Sequence, residues 1–588
     1  MKISSFQKNL KKLILYLGEK YLPKNKINSN LIYIHYLRIN YTIRTILNIF
    51  FGVTFFISRI IFFKQIYKLK NKQLKNVFEI ILFFPVIGSK IKELICALIF
   101  LHHYNDEKIN KKSLNVSSNK DYEFIVIGSG PGGSITASEI IKYSNNVMIL
   151  EEGEDAKIPV SKHPGSEFLE KWRDAGVNSS ISGLQINFSS GKTLGGGSEI
   201  NSGLFHNIDE KFIDDWTKKY QTKNFDFNQM VKFDKEIQNF LNVSENQNFS
   251  NEVNPENFII GSNKLNFKIE KIKKLKKIDK NKEVKLSMKN TYLKDYLKKG
   301  GDILTGSFVD YIEKVNDRWK IRVIRRRKII TFYCKYLFLC CGSLYTNEIL
   351  LKSNIIKKND QIDFKFHPMV KIIADYGKKV QDLNCDVHQF QVTEFYPKYI
   401  LGNASSSPQF LLNNFLDNKE KYEYIKKNYL NLSIYHATFS IGSGSIINIL
   451  KKYKVLKYKI PDTELDNIKN ALLNLSKILF EGGAKSIIIL KKGLPLLRKD
   501  NYINEINKIN NIKDLKLSSV HILGGIGMGE SKSSITNSFG KLKTTEKLYV
   551  NDSSLINNSL LKNPQGIIMS IALRNIRNFF EIDYKKNV

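Results

Sequence analysis

Gly128, Gly130 and Gly133, spaced GxGxxG, follow the apolar run Phe124-Ile-Val-Ile127 and precede a helical stretch from Ser134 to Tyr143. Residues of this type at this spacing suit binding of a pyrophosphate. Gly128 permits a tight turn after the strand, Gly130 lets backbone approach the anion, and Gly133 lets the helix pack closely on the strand. The helix N-terminus then attracts the negative charge. A second apolar run, Val147-Met-Ile-Leu150, ends in Glu151, 23 residues beyond Gly128, where a carboxylate can accept hydrogen bonds from ribose hydroxyls. The unit is a dinucleotide cradle that by itself leaves NAD and FAD both open.

Gly191-Lys-Thr-Leu-Gly-Gly-Gly-Ser-Glu-Ile-Asn-Ser-Gly203 is a second glycine-rich loop, too glycine-dense for strand or helix and suited to backbone wrapping around a cofactor. The five cysteines form no CxxC pair and no zinc or disulfide spacing, so no metal site is expected, and Cys340-Cys341 reads as core filling. No second GxGxxG unit suggests a separate NAD(P)H site.

The second glycine loop resembles the GGGSxxN loop of the glucose-methanol-choline oxidoreductases, FAD-dependent alcohol oxidases and dehydrogenases. Thr305-Gly-Ser-Phe-Val309 resembles the family's strand whose backbone meets the adenine, and the stretch Tyr336 to Leu351 resembles its strand-turn-helix returning to the FAD domain. His521-Ile-Leu-Gly-Gly, Leu548-Tyr-Val-Asn-Asp-Ser-Ser554 and Asn563-Pro-Gln565 resemble its C-terminal signature. The matches run from about Asp121 to Phe580, and the His-x-Leu-Gly-Gly and Asn-Pro pairing is most similar to the cholesterol-oxidase and long-chain-alcohol-oxidase branches.

This resemblance implies FAD as cofactor and an alcohol, of lipidic, long-chain or sterol-like kind, as substrate. It makes His521 the catalytic histidine, taking the hydroxyl proton or holding the hydroxyl, a task that suits imidazole. Asn563 would hydrogen-bond the substrate oxygen or reduced flavin. Gly196, Ser198 and Asn201 would lie along the flavin, Val309 beside the adenine, and Asp552, Ser553 and Pro564 around the rest of the cofactor. His367 is a weaker candidate for the pocket, and His163, His206, His388 and His436 read as satisfied surface or core residues. The electrons would pass on to oxygen, a quinone or a cytochrome. A catalytically degenerate, FAD-binding membrane-associated protein is the rival reading.

These residues need a scaffold. Short apolar strands, glycine turns and helices from Asp121 onward read as α/β architecture. The expected plan is a Rossmann-like FAD domain from 119–215, 288–351 and 515–588, interleaved with a substrate domain from 216–287 and 352–514. The latter would carry a mixed or antiparallel sheet. Lys268 to Lys285 and Asn501 to Asp514 read as exposed excursions, and Lys111 to Lys120 as a linker.

Residues 1–118 read as a basic helical, membrane-associated module. Thr45 to Phe63 is apolar with Arg59 its only formal charge, close to the roughly 20 residues a spanning helix needs, and Val77 to Leu101 is a broken apolar run suited to an interface. The chain carries 92 Lys plus Arg against 56 Asp plus Glu, a net charge of +36, and its first 120 residues hold 21 against 5. An anionic membrane surface is therefore the expected partner. Nucleic acid is not expected, because no helix-turn-helix, zinc-finger or RNA-binding signature accompanies the charge. No secretion signal is read at the N-terminus, so the expected location is the cytoplasm or the cytoplasmic side of a membrane.

Overall fold

The run that opens the dinucleotide cradle forms the strand Asp121–Ile127, whose last four residues are all buried, as the middle of a two-sided parallel sheet requires. A computed structural model of the chain describes residues 4–585 apart from 23–26, 40, 83–84, 103–110, 113–120, 157–163, 181, 244–247, 281, 358–362, 384, 406–407, 416–417, 450–452, 492–495 and 557–559. In it that strand lies between Val147–Leu150 and the second half of Lys328–Leu339, parallel to both. Asp302–Leu304 extends the sheet on one side and Leu548–Val550 pairs with Leu337 to Leu339. The antiparallel meander Phe308–Val315, Arg318–Arg325 and Lys328–Leu339 completes seven strands. Helices Pro131–Ile140 and Gln565–Asn578 pack on each other and share a core with the sheet through Ile135, Met569, Leu573 and Phe124.

A second unit is built on an eight-stranded sheet. Met369–Asp375 pairs antiparallel with Leu432–Phe439, which pairs with Tyr399–Ala404, and the helix Leu465–Glu481 buries Leu472, Leu475 and Leu479 against them. Leu517–Ser519 joins it parallel to Ile186–Phe188, so the sheet is mixed. A five-stranded sheet beside it includes Ile522–Gly524, Phe364–Phe366 and Tyr453–Lys459.

The expected divisions at 215 and 515 shift. Ile186–Phe188, Leu517–Ser519 and Ile522–Gly524 belong to the sheets of the second unit. Helices Glu210–Tyr220 and Phe227–Leu241 instead bury Phe212, Trp216, Ile237 and Leu241 in the cores of the first. Strand pairing and apolar faces decide membership here, and neither is visible as a break in composition. Lys268 to Lys285 is also no exposed excursion throughout. It carries strands Ile269–Lys271, Lys273–Lys274 and Lys276–Asp279, and Lys274 is fully buried because Glu252 at 2.7 Å and Asp386 at 3.0 Å neutralise it.

The N-terminal module consists of helices Ser5–Gly18, Ser29–Arg38, Tyr41–Phe62, Asn71–Leu82 and Pro85–Leu101 around a core that includes Leu13, Phe51, Leu74 and Ile81. It docks on both units. Arg38 pairs with Glu170 at 3.0 Å, His35 Nε2 meets the Ala175 carbonyl at 2.8 Å, and Cys96 packs among Leu411, Ile425 and Ile488. Of the expected linker only Lys111–Lys112 is described, paired with Asp155–Ala156. The rest of it, and His163, lie outside the described residues.

Candidate active site

The turn at the head of Pro131–Ile140 is shaped for a ligand on one side and for packing on the other. A Cβ on Gly133 would stand 1.9 Å from the Gly128 carbonyl oxygen, whereas a Cβ on Gly130 would meet no atom within 4 Å. The contrast supports the roles expected of the two positions: Gly133 closes helix on strand, and Gly130 keeps its backbone open to the cavity it lines.

Glu151, at the end of the next strand, accepts hydrogen bonds from Ser129 N at 2.9 Å, Ser129 Oγ at 2.7 Å and Gly153 N at 2.7 Å. Burial raises its pKa and these bonds oppose the rise. Three of about four acceptor positions are thereby used. Its neighbour Glu152 is half-buried, and Arg173 at 2.7 Å and Lys192 at 3.0 Å hold it down to about 2 against the opposing effect of desolvation. The Arg173 guanidinium lies 3.6 Å from the Tyr345 ring centre, and Glu152, Arg173 and Tyr345 form part of the cavity wall.

The second glycine loop docks against the first. Gly195 N donates to Ser129 Oγ at 2.9 Å, and a Cβ on Gly196, where φ is +57°, would come within 2.8 Å of Gly130 Cα. Ser198 Oγ donates to the Gly195 carbonyl and accepts from Met288 N, so its side chain holds the loop's own shape. Asn201 Nδ2 donates to Gln565 Oε1 at 2.6 Å, while its Oδ1 is buried without a hydrogen-bond partner among the described residues. A buried acceptor left unpaired costs free energy. A cofactor carrying ring N–H and ribityl O–H groups fits this position.

Asp552 follows the strand Leu548–Val550. Its carboxylate accepts from Ser554 N and Oγ, from Gly342 N at 2.8 Å and from Thr346 Oγ1 at 2.6 Å, filling its acceptor positions within the protein. Its side chain ties Leu548–Val550 to the helix Ser343–Lys352, and the residue also lines the cavity. Ser553 continues the tie through Ser343 Oγ at 3.0 Å. Cys340 and Cys341 also line this wall, and burial pushes both thiols up.

His521 stands between Leu517–Ser519 and Ile522–Gly524, with its Nδ1 3.0 Å from Nδ1 of His367 and the two rings edge to face. Ser519 Oγ positions both residues, donating to the His521 carbonyl at 2.9 Å and accepting from His367 N at 3.1 Å. Burial lowers the pKa of His521 to about 4, with a further lowering from His206, and burial together with His521 lowers that of His367 well below its ordinary value. Both rings are neutral at neutral pH. One nitrogen of the pair must donate and the other accept. If His521 carries its proton on Nδ1, its Nε2 is a free base.

Asn563 is fixed from behind: its backbone N donates to His206 Nδ1 at 3.2 Å, and His206 Nε2 meets Gln391 Oε1 at 2.9 Å. Pro564 then caps Gln565–Asn578, whose N-terminus carries partial positive charge at the cavity wall.

Every residue nominated from the sequence lines one continuous cavity of about 2670 Å³ except Gly133, which packs behind it. His367 belongs to this cavity as well. Sequence reasoning missed His436 and Lys371, directly opposed on paired strands and both lining the cavity, and His206 as the support of Asn563. Their strands are mostly buried, with Lys371 and His436 as isolated polar positions that nothing local distinguishes, and the register that pairs them is set by distant partners.

A model of the N-terminal part of GMC oxidoreductases matches residues 123–381, and a model of their C-terminal part matches 455–572. An uncharacterised GMC-type oxidoreductase of Sinorhizobium fredii, y4nJ, is 24% identical over 79% of this chain and 95% of its own. The long-chain-alcohol oxidase FAO4B of Arabidopsis thaliana is 20% identical over 76% of this chain and 66% of its own. Among solved structures, pyridoxine 4-oxidase from Mesorbium loti superposes with a TM-score of 0.60 at 14% identity, over 78% of this chain and 99% of its own. A formate oxidase of Aspergillus oryzae gives 0.62 at 12%, over 80% and 100%.

Proposed function

Because the chain belongs to the GMC oxidoreductase family of FAD enzymes, we propose that it oxidises an alcohol to the carbonyl compound, with His521 as the base that receives the hydroxyl proton. The observation that carries this reading is the placement of a neutral imidazole, its Nδ1 engaged by His367, on the same cavity wall as Asn563 and both glycine loops. Bound FAD supplies the acceptor for the hydride that leaves the carbinol carbon as its C–O bond becomes C=O. The protein's part is to hold and deprotonate. His367 accepts from His521 Nδ1–H and so leaves Nε2 open to the alcohol. Asn563 offers an amide to the same oxygen, and the backbone of Gly130, Gly196 and Ser198, with Glu151, Asn201 and Val309, holds the cofactor.

The substrate is a lipidic or long-chain alcohol. Apolar Ile46, Leu94 and Leu98 line the same cavity as His521, and relatives named as long-chain-alcohol oxidases align over three-quarters of the chain. The basic N-terminal module adds an anionic membrane surface as partner, on the cytoplasmic side. Oxygen, a quinone or a cytochrome takes the electrons onward. A ladder of primary alcohols of rising chain length, assayed for aldehyde, tests the substrate class. We expect kcat/KM to rise with chain length, and a preference for short polar alcohols would overturn it. Rapid recovery of the oxidised flavin spectrum in air, followed by stopped flow, would identify oxygen as acceptor.

A further inference from the structure

Tyr41–Phe62 is an apolar helix with two faces in different surroundings. On one, Thr42, Leu47, Phe51, Thr54, Phe55 and Ser58 are buried against the rest of the module. On the other, Ile46, Ile49, Val53, Phe56 and Ile60 recur every three or four residues, each about half exposed or more, with Phe63 just beyond at 89%. A continuous apolar row on a protein surface marks a contact with something apolar.

The buried face decides how a membrane could meet this row. It holds the helix to the protein along its length, from Thr42 to Ser58, so the helix cannot cross a bilayer without taking the module with it. It can lie in the plane of the membrane with its open face down, as interfacial helices do. Charge on the page selects the kind of surface. Arg59, Lys64, Lys68, Lys70, Lys72 and Lys75, at the end of the helix and just after it, are all exposed, which favours anionic lipid.

The same helix reaches the active-site cavity. Ile43, Ile46 and Leu47, with Leu94 and Leu98 from Pro85–Leu101, line the cavity that His521 and Asn563 line. Ile46 belongs both to the exposed row and to the cavity wall.

We propose that the N-terminal module is a membrane-docked mouth: Tyr41–Phe62 rests in the plane of an anionic leaflet, and a long-chain molecule with a hydroxyl head passes from the bilayer past Ile46, Leu94 and Leu98 into the cavity. The identity of the head group rests on the alcohol-oxidation reading above. The docking and the route do not. The arrangement explains why an enzyme-sized cavity is walled partly by a helix whose other side faces outward and apolar.

Flotation of the FAD-loaded full chain with phosphatidylcholine vesicles, with and without phosphatidylglycerol, tests the docking. Native protein is expected to float with the anionic vesicles, less with the neutral ones, and less as salt rises. Val53→Glu/Phe56→Glu, at exposed positions, is expected to lose at least tenfold in vesicle partitioning with an unchanged melting temperature. Native protein that stays off anionic vesicles, or a double variant that floats equally, overturns the proposal. The route is read by irradiating anionic vesicles that contain hexadecan-1-ol with a diazirine in its tail. Adducts on Leu94 or Leu98 that unlabelled hexadecan-1-ol suppresses support it, and labelling confined to the exposed row removes the mouth. Neither readout requires turnover, so vesicle binding and labelling without any alcohol oxidation would sink the catalytic reading and leave this one standing.

Discussion

His35 and His102 meet at 2.6 Å inside the helical module, and His367 and His521 meet at 3.0 Å beside the glycine loops, so the described residues include two imidazole pairs made by the same interaction. Burial lowers the pKa of all four rings, to about 4 for His35, about 3 for His102 and about 4 for His521, with His367 well below its ordinary value. What separates the pairs is where their outer nitrogens go. His35 Nε2 ends on the Ala175 carbonyl, so it must be protonated and His35 Nδ1 must accept from His102 Nε2–H. His102 Nδ1 is buried with no hydrogen-bond partner among the described residues, and neither ring lines the cavity, so the pair is a clamp between the module and the segment around Ala175. The His521 ring lies on a cavity wall with one nitrogen engaged and the other available. A depressed histidine pKa by itself says nothing about catalysis, and the access of the second nitrogen decides.

The comparison breaks most visibly at His521. His521→Ala is expected to lower kcat by about 10²- to 10⁴-fold, the usual share of a general base, with the bound-flavin spectrum and melting temperature near native. Steady-state rates and a thermal melt check it. Acid should act on the clamp next. The folded pKa of His35 lies below its unfolded value near 6.5, so below that pH the unfolded chain takes up a proton that the folded module refuses. Stability is then lost as pH falls from about 6.5 towards 4, by on the order of 3 kcal/mol for His35. Melting curves across this range check the sign. Over the same range kcat/KM of the folded enzyme should stay flat until pH approaches the His521 value of about 4.

His35→Phe removes two hydrogen bonds and leaves His102 and the Ala175 carbonyl without their partner. A loss of about 2 kcal/mol in stability is expected, with kcat unchanged and a shallower fall in melting temperature below pH 6.5. A change in kcat as large as that of His521→Ala would erase the distinction between the pairs. The smallest effect is expected at His367. His367→Leu should cost about 1 kcal/mol in activation, several-fold in kcat, with KM little changed. His367→Gln, which can still accept a hydrogen bond, should recover part of the loss.

The two pairs also show what a sequence discloses. The cradle at Gly128 to Gly133 and the strand ending in Glu151 were legible because their chemistry depends on residues close in the chain. His521 and Asn563 were legible through resemblance to a family signature. His367 was visible only as a weak candidate, and His206, His436 and Lys371 passed as ordinary strand or core residues. They reach the site through the register of Met369–Asp375 with Leu432–Phe439 and through a hydrogen bond between His206 and Asn563, 357 positions apart. Nothing local records such pairings. The apolar run at Thr45 to Phe63 was legible as a long helix, but not its division into a packed and an open face. The acceptor capacity of Asp552 was likewise hidden, since its four donors come from its own turn and from Gly342 and Thr346.

Anaerobic mixing of the FAD-loaded protein with a panel of long-chain alcohols, following the oxidised flavin absorbance for the native chain and for His521→Ala, tests the central claim most directly. The account expects bleaching of the native flavin by at least one alcohol and a rate at least a hundredfold lower in the variant. No bleaching of the native flavin by any alcohol, or an equal rate in His521→Ala, would contradict it and favour a cofactor-binding protein without catalysis at this histidine.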